Sequence, residues 1–69
     1  MEDYIFLYDL PREKRSLRVK INRMLHAIKS KKIQHSVWQS TSLTDFKKIK
    51  KLIERNSGQA IIMEKRLVD

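Results

Sequence analysis

Tyr4-Ile5-Phe6-Leu7-Tyr8, closed by Asp9-Leu10-Pro11, is the stretch on which the fold turns. Five consecutive aromatic and aliphatic residues leave no polar face for a surface helix, and the run is short enough to be a strand buried on both sides. Pro11 has no amide hydrogen to give a sheet ladder but fits the first turn of a helix. The chain is therefore expected to leave a sheet at Asp9 and enter a helix somewhere between Arg12 and Leu17, with Ser16 as the N-cap of a later start.

Working outward, Leu17, Ile21, Met24, Leu25 and Ile28 recur at three- and four-residue spacing and make one apolar stripe. Arg15, Arg18, Asn22, Arg23, His26 and Lys29 occupy the other side, with Val19 an apolar exception among them. Lys31 to Trp38 reads as one extended strand, Ile33, His35 and Val37 alternating with Gln34, Ser36 and Trp38. Gln39 to Ser42 holds a bend and a short third strand. Ser42-Leu43-Thr44-Asp45 places an acid three residues after a hydroxyl, close to a capping box. The helix it opens turns Leu43, Phe46, Ile49, Leu52 and Ile53 inward and Lys47, Lys48, Lys51 and Arg55 outward. Asn56-Ser57-Gly58 stops it, with Gly58, the only glycine, expected as the left-handed cap. Ala60-Ile61-Ile62-Met63 is another buried strand, which Glu64 to Asp69 extends or turns into an exchanged edge. Strand, helix, strand, strand, helix, strand is the split βαβ order. The expected class is α+β: a ferredoxin-like βαββαβ sandwich in one domain spanning 1–69, an antiparallel sheet with both helices on one face.

A 69-residue domain is marginal alone, because a chain of this size buries only roughly 60% of its unfolded surface. With no cysteine, disulfides and thiolate metal sites are excluded, and a homodimer is the economical source of further stability. A hydrophobic fraction of 41% is enough for a core and argues against a disordered tail. No run approaches the roughly 18 apolar residues that cross a bilayer. Met1-Glu2-Asp3 is acidic where a secretory signal is basic, so a cytoplasmic location is expected. A membrane-surface role is disfavoured, because the apolar stripe of the basic helix is needed to cover the sheet.

The formal net charge of +8 is concentrated. Nine basic residues and one acid lie between Arg12 and Lys32, and the rest of the chain is neutral. Such a local positive field attracts phosphate backbones; the plainer account is a solvated face that keeps a small domain in solution. Arg15, Arg18 and Arg23 are the best phosphate ligands, because guanidinium groups match phosphate oxygens in pairs. Arg12, Lys31 and Lys32 extend the patch.

Three segments, in order, resemble a known family. Tyr8-Asp9-Leu10-Pro11, the arginine-rich helix start ending in Arg18-Val19, and Gln34-His35-Ser36-Val37-Trp38 resemble signatures of the CRISPR-associated protein 2 family. That family has a first strand ending in Tyr-Asp, a basic first helix and a Gln-x-Ser-Val-aromatic strand; the resemblance covers residues 4–63. It implies a symmetric dimer that bridges two integrase subunits and holds DNA for insertion into a CRISPR array. It also implies, as described for some members, metal-dependent nuclease activity on RNA or DNA. The family's metal residue is the aspartate ending the first strand, which puts Mg²⁺ and catalysis at Asp9 by resemblance. A non-catalytic binding or assembly module of the same fold, and a toxin-type ribonuclease of the virulence-associated protein D kind, are the alternatives.

Each candidate also has a plainer role. One carboxylate holds Mg²⁺ poorly, so Asp9 needs a second copy across a two-fold axis, where metal would activate water on a phosphodiester. Otherwise Asp9 caps the next helix or pairs with Arg12 or Arg15. Ser36 bonds a phosphate or positions water near Asp9, or is a small polar residue at a tight contact. Tyr8 contacts nucleic acid or finishes the core. Trp38 stacks on a base or, as favoured here, lies in the dimer interface; His35 is expected to be partly buried. With no base-reading element, contacts go mainly to backbone. The log of affinity for a nucleic-acid strand is therefore expected to fall steeply and linearly with the log of salt concentration, measured by titration at several ionic strengths. An affinity indifferent to salt would contradict it.

Overall fold

The structure is a computed structural model that describes residues 3–65. Its elements run β1 (Asp3–Asp9), α1 (Arg15–Ala27), β2 (Lys31–Gln34), β3 (Val37–Ser40), α2 (Leu43–Arg55) and β4 (Gln59–Lys65). The four strands form one antiparallel sheet in the order β2-β3-β1-β4. Each helix thus joins two strands running the same way with an antiparallel one between them, the ferredoxin-like arrangement expected from the element order.

Register decides which side chains meet. Phe6 lies opposite Trp38 of β3 and Ile62 of β4, and Tyr8 lies opposite Ala60. Ile21 and Leu25 of α1 and Phe46, Ile49 and Ile53 of α2 complete one buried cluster with Phe6, Tyr8, Leu10, Trp38 and Ala60. The Phe6 and Phe46 rings stack, centroids 5.0 Å apart. The stripe predicted for α1 packs whole, and that of α2 packs through Phe46, Ile49, Leu52 and Ile53. Alternation along β1 sends Ile5 and Leu7 to the opposite side, which no helix covers and where both are half-buried. β1 is therefore fully buried on the helix side only.

Further expectations about the strands need correction. Lys31 to Trp38 is a hairpin, β2 and β3 joined by a tight turn at His35-Ser36, with a register irregularity between Lys32 and Gln34. Ser36 makes the turn by adopting φ 67°, so the third strand begins at Val37 rather than after Trp38. His35, expected to be partly buried, is exposed at the turn. Trp38, assigned to an interface, is fully buried between sheet and helices. The His26 ring meets it edge-on at 5.0 Å, and Lys32 Nζ lies 5.8 Å from its ring centre. Ala60 to Met63 belongs to an edge strand, with Ile61 and Met63 exposed on the open face. That strand continues to Lys65; residues 66–69 of the expected extension lie outside the described residues.

Both helices end in the same motif, and neither uses glycine for the left-handed residue. In α1 the Lys29 amide donates to His26 and the Ser30 amide to Leu25, with Lys29 at φ 58°. In α2 the Ser57 amide donates to Glu54 and the Gly58 amide to Ile53, with Ser57 at φ 66°. These are Schellman caps. Gly58 is thus not the left-handed residue; it is small because a Cβ there would meet Ile53 Cγ2 at 2.6 Å, the Asp9 carbonyl oxygen at 2.7 Å and Leu10 Cδ2 at 2.8 Å. Ser16, offered as an N-cap, lies inside α1, whose N-cap is Lys14. Two substitutions one residue apart should therefore act in opposite directions in urea unfolding. Gly58→Ala is expected to destabilise by about 1–3 kcal/mol through overpacking, whereas Ser57→Gly relieves a left-handed serine and stabilises by up to about 1 kcal/mol.

Candidate nucleic-acid interface

Charge in this molecule is sorted by layer. α1 carries four basic residues and no acid; α2 carries five basic residues and two acids. The four strands together hold three basic and three acidic residues. The helix layer is strongly positive, and the sheet is neutral. On the sheet's open side Ile5, Leu7, Val37, Ile61 and Met63 share a face by register. At one end of that face the Gln39 side-chain amide donates to Asp3 Oδ2 at 2.8 Å and accepts from Lys65 Nζ at 3.3 Å. The sequence segment from Arg12 to Lys32 held the whole formal excess, yet Lys47, Lys48 and Lys51 of α2 are exposed in the same layer. Counting charge by segment missed them; their spacing on the outer helix face was the signal.

The turn out of β1 builds a cleft. The Lys14 amide donates to the Pro11 carbonyl at 3.0 Å, and α1 starts with no acid in its first turn and no side-chain cap. Arg18, half-buried, donates from Nη2 to the Leu10 carbonyl at 3.2 Å, which fixes its guanidinium beside the turn. Arg12 and Arg15 are exposed. With Asp9 and Leu10 these three arginines line a cleft of about 410 Å³. Among the described residues none of the three makes an ion pair.

Asp9 is exposed at the end of β1, opposite Gln59. Its carboxylate neither caps α1 nor pairs with Arg12 or Arg15, and it makes no side-chain hydrogen bond among the described residues. It also borders a smaller, mainly apolar pocket with Leu7 and Ile61, so it stands where the open sheet face meets the arginine cleft. Among the described residues no three His, Cys, Asp or Glu side chains come together as a metal site.

Tyr8 belongs to the core. Its hydroxyl donates to Asn22 Oδ1 of α1 at 2.6 Å, tying the first helix to the central strand beside Arg18. Burial raises its pKa above the ordinary 10.0, against a smaller lowering by the Arg18 charge. Ser36 comes close to this end of β1, where its carbonyl accepts from the Tyr8 amide at 3.3 Å. Arg23 is exposed farther along α1, and Lys31 and Lys32 lie on the exposed edge strand β2. The structure thus gathers Asp9, Arg12, Arg15 and Arg18 at one place, leaves Arg23 farther along α1, and puts Lys31 and Lys32 on the sheet, Lys31 opposite Gln39.

No protein-family model and no curated protein matches this chain. Among the described residues no helix is long and apolar enough to cross a membrane.

Sequence reasoning did not find Asn22 as a partner, since an asparagine on a helix flank carries no signal until the tyrosine facing it is placed. The Tyr8 hydroxyl has a consequence in base. Its folded pKa lies above its unfolded one, so its stabilisation is complete below about pH 10 and is lost as pH rises through the folded value. Tyr8→Phe is expected to lower stability at neutral pH by about 1 kcal/mol and to flatten the decline above pH 10, both read from unfolding curves across pH.

Proposed function

We propose that the protein is a dimeric nucleic-acid-binding protein similar in role to CRISPR-associated protein 2, gripping backbone phosphates with its helix layer and pairing through its open sheet face. The observation that carries this reading is the division of charge between layers. A molecule of net charge +8 repels a second copy wherever its basic side chains meet. The open sheet face is the neutral one, and its apolar centre of Ile5, Leu7, Val37, Ile61 and Met63 is what a marginal small domain gains by covering. Pairing there leaves the basic layers outward on both sides, ready for a strand or duplex whose phosphates neutralise them.

The same pairing favours a second reading, a metal-dependent phosphodiesterase. Asp9 lies at the seam between the sheet face and the arginine cleft with its carboxylate unpartnered among the described residues. Two copies brought together across that seam would place two carboxylates where substrate phosphate completes the shell of Mg²⁺. A toxin-type ribonuclease of the same fold is an enzyme reading of the same residues. Docking to an integrase rests on the family resemblance alone.

Sedimentation and cleavage assays test both parts. The wild type is expected to sediment as a dimer and Ile61→Glu combined with Met63→Glu as a monomer; a wild-type monomer at high concentration, or a dimer indifferent to those changes, rules out this pairing. If turnover occurs, Asp9→Ala abolishes Mg²⁺-dependent cleavage while retaining binding. Cleavage that survives Asp9→Ala rules out Asp9 as its seat, and absence of cleavage in both proteins leaves the binding module.

A further inference from the structure

The cleft between β1 and α1 gathers three guanidinium groups and one carboxylate around a single concavity. We propose that it is a pocket for a phosphomonoester, the phosphorylated end of a nucleic-acid strand, rather than one more contact to the backbone. This rests on the nucleic-acid reading above and narrows it to strand ends.

Charge is the first support. Arg12, Arg15 and Arg18 line with Asp9 a cleft of about 410 Å³, three positive charges against one negative. A terminal phosphate carries roughly −1.5 to −2 at neutral pH, which matches that excess. A backbone phosphodiester carries only one negative charge and leaves the cleft under-compensated. Donor count is the second. A terminal phosphate presents three acceptor oxygens where an internal one presents two, and each guanidinium offers a planar fork of donors. Arg18 is already held by the Leu10 carbonyl, so at least one of the forks is positioned before any ligand arrives.

Shape is the third. The cleft sits where the chain turns through Leu10-Pro11 between sheet and helix, walled by Leu10 and by the start of α1. A strand's end has one flanking nucleotide to place at this turn, and an internal phosphate has two. The exposed lysines of α2 and the arginine at position 23 lie along the outer helix faces and serve internal phosphates. The same pocket chemistry would take inorganic phosphate, so free phosphate is one arm of the test.

The test uses full-length protein and one labelled single strand prepared with a 5′-phosphate, a 3′-phosphate or hydroxyls at both ends. At least one phosphorylated form is expected to bind about tenfold or more tighter than the hydroxyl form. Inorganic phosphate should compete away that advantage. Arg12→Gln combined with Arg15→Gln, both exposed and so compatible with the fold, should bring the affinities of the phosphorylated and hydroxyl strands together, beyond any loss common to both. Equal affinities of all three strands for the wild type would overturn the pocket and leave the nucleic-acid reading standing. A preference that survives the double substitution would overturn its location. If no strand binds at all, the nucleic-acid reading itself fails, and the pocket with it.

Discussion

Phe6 is where the elements of this fold meet. It lies opposite Trp38 on one neighbouring strand and Ile62 on the other, and its ring stacks on Phe46 of the second helix. A small domain has room for few such junctions, and stability of only some 5–15 kcal/mol must come from them. Loss of a buried phenylalanine side chain removes about 3–5 kcal/mol of that. Once Phe6 points toward the helices, the two-residue period of the strand leaves no choice elsewhere: Tyr8 goes to the helices and to Asn22, while Ile5, Leu7 and Asp9 go to the other side.

From that division come both surfaces of functional interest. The helices, pinned by Phe46, Ile21 and Leu25, turn their lysines and arginines to solvent, and the uncovered sheet face stays neutral and apolar. Asp9, last in β1, falls at the border. The proposed dimer and the proposed phosphate contacts therefore do not compete for the same side chains, and a strand held by the helix layer need not be released for two copies to pair.

Legibility in the sequence followed the length of the pattern. Both helices were readable because four or five apolar residues repeat at a period no strand shares, and the first strand because Tyr4 to Tyr8 has no polar side. The hairpin was not. Its turn uses Ser36 in a left-handed conformation, where Asn-Gly or Asp-Gly would have announced it, and the alternation from Ile33 to Trp38 runs through the turn without a break. Gly58 was read for its freedom when it is there for its size, a distinction that depends on how near Asp9 and Ile53 come to it. The arginine cleft was half legible: Arg12, Arg15 and Arg18 stood out by charge, but that they and Asp9 enclose one space depends on the turn at Pro11.

The lone tryptophan gives the molecule a built-in optical gauge. Trp38 is wholly enclosed, with His26 at its edge and a lysine ammonium over its ring, and its indole nitrogen finds no hydrogen-bond partner among the described residues. Its emission is expected to be that of an indole shielded from water and to shift to the red when the sheet and helices part. Anything that docks in the cleft or against the open sheet without disturbing the core will pass unseen by this fluorophore, which keeps the signals of folding and of binding separate.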